Sequence, residues 1–440
     1  MLFPPPPEVF DQLRACDPRS VQQGAWLVMF YSIVLSHISS VSPEDVSTKE
    51  KLCCNLWLAL NDVRLLLEPS EANIQALVIL ASHVEEFTTP SLSWMLTSTA
   101  CRMLQALGVN RRGLDEKTKE RRRLVFWHLN LLDSGLAMIF GYSPTFHRAM
   151  SREIPLPSMK QLLACQPHLR PTTETGPHGK VPSTFGAHFF FQVMTLSRHL
   201  ADIWHVLHQE DDPTICQKAD DDLEAWYRNA HQVLSAAAMT EKPFLDADAC
   251  RSVDLGLYML DFNHSYLAIL LCRHANQTER MRRYCISMLH LLPHLVSDSE
   301  EVFNGIVWQI LCCPFTPFLA LFGELLSHSK GVDQHPPLDT RAVLDALNQL
   351  PPFLKAMGER NSLARKLESV AVVLVKHATS IVEETSQPTP ADSGFDSGSQ
   401  FGDVLDWQSL LELDSLPSDM LASWTADFFT ADVNAVDWLG

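Results

Sequence analysis

The stretch that decides the fold is residues 120–139, ERRRLVFWHLNLLDSGLAMI. Its apolar residues recur at spacings of three and four, which places one stripe along a helix: Val125, Leu129, Leu132, Leu136 and Ile139. A second apolar face carries Phe126, Trp127 and Leu131. Because a helix that is apolar on two faces is covered on both, this stretch predicts a helix at the centre of a helical domain.

The same helical spacing covers nearly all of the chain before residue 382. Only 17 of the 440 residues are glycine, and alternating strands joined by Asn-Gly or Asp-Gly turns are absent from the sequence. We therefore expect an all-α, multi-helix domain over residues 1–382. The expected helices span 20–39, 46–67, 71–87, 91–107, 115–140, 183–210, 214–238, 248–275, 277–296, 299–328, 339–357 and 361–384.

The C-terminal end differs in composition from this body. Residues 386–402, SQPTPADSGFDSGSQFG, are small and polar and cannot bury enough surface to offset chain entropy. Twelve of the 52 acidic residues and none of the 34 basic residues lie in 383–440, so this part carries −12 of the net charge of −18. We expect a flexible linker over 383–402 and a disordered acidic segment over 403–440.

The cysteines and the apolar runs indicate the class of protein. The eleven cysteines include two adjacent pairs, at 53–54 and 312–313, but no CxxC spacing, which predicts free and mostly buried thiols in a reducing compartment. The most apolar stretch, 25–35, is shorter than the about 20 residues of a membrane span. The start has no basic residue before an apolar run, unlike a secretory signal. We expect a soluble protein without membrane contact, cofactor or metal.

Short motifs follow one another between residues 71 and 157. They are ALVIL (76–80), Trp94, ACRM (100–103), LGV (107–109), ERRRLVFW (120–127), Asp133, GYSP (141–144) and IPLP (154–157). In this order and spacing they resemble the middle homology region of fungal-specific transcription factors. The resemblance implies an all-α regulatory domain with these signature positions: Trp94, Gly108, Arg121, Arg122, Arg123, Phe126, Trp127, Asp133, Gly141, Pro144 and Pro157. Ser134 stands where that family usually has arginine, and Tyr142-Ser143 expands its Gly-Arg-Pro turn.

The zinc binuclear cluster that contacts DNA in this family needs six closely spaced cysteines with basic residues between them. Cys16 is the one cysteine in the first 50 residues, so the sequence contains no such cluster. We expect either that the module is encoded upstream of this sequence, or that the chain reaches DNA as a homodimer or as a heterodimer with a DNA-bound zinc-cluster factor.

A basic group surrounds the start of the central helix: Arg111, Arg112, Lys117, Lys119, Arg121, Arg122 and Arg123. Such a group could form a nuclear-localisation or phosphate-binding patch. Because the last three also belong to the resemblance, we favour packing and ion pairing. Asp133 lies on a largely apolar helix, and a buried carboxylate there needs a partner, such as a nearby arginine.

An enzyme remains the alternative from another class. Asp220, Asp221, Asp222 and Glu224 resemble the aspartate-rich magnesium motif of helical terpene cyclases. The second metal motif of those enzymes does not follow, and an acidic helix start after Pro213 also explains the run. His199, His205 and His208 could bring two imidazoles to one helix face, but we favour three surface histidines on a helix over residues 191–209. The motifs of phosphate loops, zinc proteases and serine hydrolases are absent from the sequence, so we expect no catalysis.

The acidic segment interleaves acids with aromatic and aliphatic residues, as activation domains do. Repulsion between the acids keeps the apolar residues available to a partner. We expect the following to bind a coactivator groove: Val404, Trp407, Leu410, Leu411, Leu413, Phe428, Phe429 and Trp438. A tail helix docked on the protein's own body is the alternative. Asp392, Gly394 and Ser397 also fit the DSGxxS form of a phosphorylation-dependent degron.

Together these features predict a nuclear transcriptional regulator. It is expected to activate a dedicated metabolic or secondary-metabolite gene set, as the resemblance implies, by recruiting coactivators through its tail. A DNA-independent cofactor or a repressor of a full-length zinc-cluster factor is the alternative within regulation.

Overall fold

The computed structural model describes residues 5–15, 20–42, 44–83, 89–165, 183–209, 212–296, 307–329, 338–359 and 361–386. The regular elements in these ranges are helices, which confirms the all-α fold class. The expected coactivator-binding residues, the degron-like sequence and nearly all of the expected linker lie outside these ranges.

The helices are numbered in chain order. The first half contains α1 (Pro7–Arg14), α2 (Gly24–Val41), α3 (Val46–Leu60), α4 (Arg64–Leu67), α5 (Glu71–His83), α6 (Pro90–Leu107), α7 (Glu116–Phe140), α8 (Arg148–Glu153) and α9 (Met159–Cys165). The second half contains α10 (Phe185–Gln209), α11 (Pro213–Glu241), α12 (Ala247–His274), α13 (Thr278–Leu295), α14 (Val307–Cys312), α15 (Phe315–Ser329), α16 (Thr340–Leu347), α17 (Leu350–Gly358) and α18 (Ser362–Ser386).

Short polar side chains begin many of these helices. The carboxylates of Asp45, Asp115 and Asp339 each accept a hydrogen bond from the backbone N–H three residues on, at 3.1, 2.9 and 3.0 Å. The hydroxyl of Thr89 accepts from the N–H of Leu92 at 3.2 Å, directly before Pro90 in the first turn of α6. These side chains satisfy amides that have no partner within the helix.

Three expected helices are interrupted in the structure. The expected helix 46–67 divides at residues 61–63, where the Asp62 carboxylate accepts from the N–H of Arg64 at 3.1 Å. The expected helix 299–328 divides before α15 at Pro314, because proline disfavours helical backbone in the residue before it; residues 299–306 of that helix lie outside the described ranges. The expected helix 339–357 divides at residues 348–349, between α16 and α17, and Pro351 lies in the first turn of α17.

Other boundaries differ by smaller amounts. Helix α2 begins at Gly24 and not at residue 20, and α18 runs to Ser386, which is four residues into the segment expected as linker. The short helices α1, α8 and α9 were not expected from the sequence. They contain six to eight residues each and are too short to show a helical period.

The chain divides into two compact units. The first comprises residues 1–260 and 297–309. Its core is one apolar cluster that includes residues of α2, α5, α6 and α7, with Leu35, Leu77, Ala100, Phe126 and Trp127 all fully buried. Helix α7 packs against α6 and α10, and this confirms its central place in the unit.

The second unit comprises residues 261–296 and 310–440. Its helices α13, α15, α16, α17 and α18 pack against one another. Phe315, Phe318 and Phe322 on α15 are buried. The guanidinium of Arg282 on α13 forms an ion pair with the carboxylate of Glu324 on α15. Burying this pair of opposite charges together offsets the cost of removing each from water.

Among the residues that the structure describes, two helical stretches are long and apolar enough to cross a membrane by length and composition. They are Ala247–His274 and Trp308–Ser329, and 83% and 78% of their apolar windows are buried within the protein. Such burial is typical of helices in the core of a soluble protein. The burial of both stretches therefore favours core helices over membrane spans.

Candidate functional site

The candidate site is the region where α5, α6 and α7 meet, because most of the signature positions lie there. Arg122, in the second turn of α7, joins all three helices. Its Nε donates to Glu71 Oε1 at 2.9 Å, and its Nη1 donates to the carbonyl oxygens of Leu107 and Gly108 at 2.8 and 2.9 Å. The guanidinium therefore pairs with the acid in the first turn of α5 and neutralises the negative end of α6.

The neighbouring arginines are also engaged. Nη2 of Arg121 lies 3.6 Å from Glu71 Oε2. Arg123 donates to Asn110 Oδ1 at 3.1 Å and to Glu116 Oε1 at 3.4 Å. These contacts support the interpretation as packing and ion pairing.

The rest of the basic group divides between paired and exposed residues. Nζ of Lys119 lies 3.3 Å from Glu116 Oε2, while Arg111, Arg112 and Lys117 are exposed.

The two signature glycines end the helices that they follow. Gly108 has φ +75° and donates its N–H to the carbonyls of Leu104 and Gln105 at 2.9 and 3.2 Å. Gly141 has φ +71° in the left-handed region. Side chains with a Cβ are strained at such φ values, so glycine is required at both positions for α6 and α7 to end where they do.

Asp133 is buried, with 1% of its surface exposed. Its partners are not arginines, as the sequence suggested, but backbone amides: Oδ2 accepts from the N–H of Thr145 at 2.7 Å and of Phe146 at 3.0 Å. Burial raises the pKa of this carboxyl, and the two amides act in the opposite direction. Asp133 thus fixes the turn at Pro144 to the middle of α7.

Trp127 anchors the segment after α8. The indole Nε1 donates to the carbonyl oxygen of Pro155 at 2.9 Å, and the ring is completely buried. The guanidinium of Arg198 on α10 lies 4.9 Å from the centre of that ring and donates to the carbonyls of Ser151 and Ile154 at 3.0 and 3.2 Å. Arg198 therefore completes this anchor. No pattern in the sequence indicates it, since its carbonyl partners are 44 to 47 residues away.

The remaining signature residues pack around the same region. The Phe126 ring lies 4.9 Å from that of Phe146, and the Trp94 ring lies 4.5 Å from that of Tyr142, beside the turn at Pro144. Pro157 is buried. The signature positions of α5 to α7 thus hold helix ends and turns in place, so we assign them a structural role.

The acidic run of the enzyme alternative lies inside α11 and not at its start. The helix begins at Pro213 behind Asp212, seven residues before Asp220. Asp221 accepts from Gln217 Nε2 at 3.0 Å, and Asp222 pairs with Lys218. Within the described ranges, no three His, Cys, Asp or Glu side chains come together in a way that could hold a metal ion.

The three histidines of α10 are not all on the surface. His199 and His205 are half-buried, and burial lowers the pKa of His199. His208 is exposed and stacks on the Trp204 ring at 4.5 Å. The expectation of three surface histidines is therefore wrong for the first two.

The described cysteines are free thiols, and most of them are buried. Burial raises the pKa of Cys312 to about 12, and the pKa of Cys285 is raised for the same reason. Because the thiolate is the reactive form, these sulfurs are inert at neutral pH.

Residues 66–235 match the sequence profile described as the fungal specific transcription factor domain. This stretch is a fungal specific transcription factor domain. The resemblance carried by residues 71–157 is thereby confirmed, and the match continues through α10 into α11.

Curated relatives extend the similarity beyond this fungal transcription factor domain. A protein of Claviceps purpurea named a transcriptional regulator is 39% identical over 394 residues, covering 88% of this chain. An uncharacterized transcriptional regulatory protein of Schizosaccharomyces pombe is 24% identical over 424 residues, covering 91% of this chain. The chain spans 62% of the length of each. No solved structure matches the chain significantly.

The names of the family and of these relatives refer to transcription and not to catalysis. They agree with the expectation that the chain is not an enzyme.

Proposed function

We propose that this chain regulates transcription in the nucleus, and that it activates its targets by recruiting coactivators through residues 403–440. The observation that carries the proposal is the fungal specific transcription factor domain over residues 66–235. The names of the two relatives that cover most of the chain support it.

The activating part of the proposal is supported by the composition of the C-terminal segment. Residues 383–440 carry twelve acids and no basic residue, with tryptophan, phenylalanine and leucine between them. In a helix formed on binding, Val404, Trp407, Leu410 and Leu411 would share one face with Leu413 beside them. Phe428, Phe429 and Trp438 would provide further anchors. Folding such a face into an apolar groove costs about 2–5 kcal/mol of ordering, which favours weak and reversible binding.

This sequence contains no zinc binuclear cluster, which is the module that contacts DNA in this family. We propose that the chain works with a zinc-cluster segment or with a zinc-cluster partner bound to DNA, as a homodimer or a heterodimer. A dedicated metabolic or secondary-metabolite gene set is the proposed target.

The test uses the full chain joined to an unrelated DNA-binding module upstream of a reporter gene. The test variant changes Trp407, Leu410, Leu411, Phe428, Phe429 and Trp438 to alanine. A matched control makes the same number of alanine changes at polar residues of the segment: Ser409, Ser415, Ser418, Ser423, Thr425 and Thr430. Both variants are compared at equal protein levels.

We expect the parent and the control to raise reporter output well above the DNA-binding module alone, and the test variant to lose most of that gain. Equal output from the test variant and the parent would rule out the activating segment. Output below that of the DNA-binding module alone would show repression instead.

A further inference from the structure

Polar side-chain atoms of three residues are buried where α6 packs against α7. They are the hydroxyls of Thr97 and Ser98 and the Oδ1 oxygen of Asp133. Among the residues that the structure describes, these three atoms have no hydrogen-bond partner. Thr97 and Asp133 are each 1% exposed, and Ser98 is 8% exposed. Because removing such groups from water without a hydrogen bond destabilises a fold, buried polar atoms nearly always have a partner.

The two hydroxyls lie on the side of α6 that meets α7. Residues three and four apart are neighbours on a helix surface, so Thr97 and Ser98 both adjoin Cys101. Burial raises the pKa of the Cys101 thiol, and the nearby carboxylate of Asp133 raises it further. A charge has this effect at short range, so Asp133 lies beside the turn of α6 that carries both hydroxyls.

Neither hydroxyl is bonded to its own helix. Serine and threonine within a helix can donate to the carbonyl four residues earlier. Thr99 does so in the same turn of α6, to the carbonyl of Met95 at 2.8 Å. The hydroxyls of Thr97 and Ser98 make no such bond with the described residues. Both therefore remain available to a group outside the helix.

Direct contacts close the site at both ends of this stripe on α6. At one end the ring of Trp94 lies 4.5 Å from that of Tyr142, and at the other Nε2 of Gln105 lies 3.7 Å from Sδ of Met150. Between these contacts α6 packs directly against α7. Packing this close favours the smallest occupant that can form hydrogen bonds. A water molecule needs only two to four polar partners and occupies about 30 Å³.

We propose that one buried water molecule occupies this site and joins α6 to Asp133. The water donates to Oδ1 of Asp133 and accepts from the hydroxyls of Thr97 and Ser98, which gives it the about three hydrogen bonds typical of a buried water. Oδ2 of Asp133 already accepts from the amides of Thr145 and Phe146. The water therefore connects α6, through Asp133, to the turn after α7. This proposal concerns the body of the chain and is independent of the activating role of residues 403–440.

Replacing Thr97 with valine distinguishes a hydrated hydroxyl from a dry one by the sign of the effect. Valine has the shape of threonine without the hydroxyl, so it would stabilise a site in which that hydroxyl had no partner. If the hydroxyl binds a buried water, the same change leaves the water with one partner fewer. We expect Thr97→Val to raise the equilibrium constant for unfolding of the full chain about fivefold, measured in urea by circular dichroism.

Thr99→Val is the matched control, because it makes the same change two residues along α6 at a hydroxyl that is bonded to its own helix. It should change the unfolding constant less than about twofold. Ser98→Ala should act in the same direction as Thr97→Val. The variant with both changes should unfold more readily than either, but by less than the product of the two effects, since both changes remove partners of the same water.

The water is ruled out if Thr97→Val lowers the unfolding constant, or if Thr97→Val and Thr99→Val raise it equally. A high-resolution crystal structure of the full chain provides the direct measurement. We expect density for a single water about 3 Å from Oδ1 of Asp133 and from both hydroxyls. A dry site, a direct hydrogen bond from either hydroxyl to Asp133, or a larger molecule at this position would each overturn the proposal.

Discussion

At the scale of single residues, Arg122 is the signature residue whose polar contact joins positions farthest apart in the sequence. It binds Glu71, which is 51 residues away, and two carbonyls that end α6. The sequence identified Arg122 as important through the family resemblance. It could not identify Glu71 as the partner, because a helical period contains no information on which side chains meet across helices.

Changing Arg122 to alanine should lower the free energy of unfolding by about 2–3 kcal/mol, because a half-buried carboxylate and two carbonyls lose a charged donor. Urea unfolding followed by circular dichroism measures the effect. The matched control, Arg112→Ala, removes an exposed arginine from the same basic group and should cost less than about 0.5 kcal/mol. Equal effects of the two changes on the free energy of unfolding would contradict the structural role of Arg122.

Asp133 should tolerate asparagine but not alanine. The asparagine carbonyl can still accept from the amides of Thr145 and Phe146, so we expect a change within about 1 kcal/mol. Alanine leaves one part-buried and one buried amide without this acceptor and should cost about 2–4 kcal/mol. Thermal and urea unfolding of the two variants at neutral pH measure this difference. A cost for asparagine as large as that for alanine would show that the charge is required.

The pH dependence at Asp133 has a definite sign. Because burial raises the pKa of its carboxyl, the folded chain holds the proton more tightly than the unfolded chain. Its contribution to stability is fully present below the ordinary aspartate pKa and is lost as the pH rises through the raised value. The unfolding free energy of Asp133→Asn should therefore increase relative to that of the parent as the pH rises from the ordinary aspartate pKa through the raised value. A difference that stays constant with pH would contradict the raised pKa.

At the scale of elements, alanine at Gly135, inside α7, and at Gly141, directly after it, should change the stability of the protein in opposite directions. Gly135 lies inside the helix, and an added Cβ there would meet no atom within 4 Å. Gly135→Ala should raise the free energy of unfolding by about 0.5–1 kcal/mol, because alanine loses less conformational freedom. Gly141→Ala should lower it by about 1–2 kcal/mol, because the left-handed backbone is strained for alanine. Unfolding curves of the two variants that shift in the same direction would show that α7 does not end at Gly141.

The helices were largely predictable from the sequence because each long one buries an apolar stripe with a regular period. The differences have local causes. The expected helix 46–67 divides where the Asp62 carboxylate accepts from the N–H of Arg64. After this interruption, Leu66 and Leu67 are exposed beside the buried Leu65. Periodicity showed that these positions are apolar. It could not show which of them the rest of the chain covers.

At the scale of the whole molecule, the helical body and the acidic segment have separate physical requirements. The body is nearly neutral and buries its apolar residues, whereas residues 383–440 carry −12 of the net charge of −18. We predict that repulsion within such a segment opposes compaction and leaves its aromatic residues accessible. The two parts should therefore be separable by truncation.

A chain that ends at Ser386 should unfold at the same temperature as the full chain, within about 1 °C, since it keeps every described helix. Joined to an unrelated DNA-binding module, it should lose reporter activation. A stop after residue 361 is the control for damage to the body, because it removes α18, whose Leu363, Ala364, Leu367 and Ala371 are buried in the second unit. A clear fall in the unfolding temperature after truncation at Ser386 would mean that the acidic segment packs on the body, and its aromatic residues would then have to be released before a coactivator could bind.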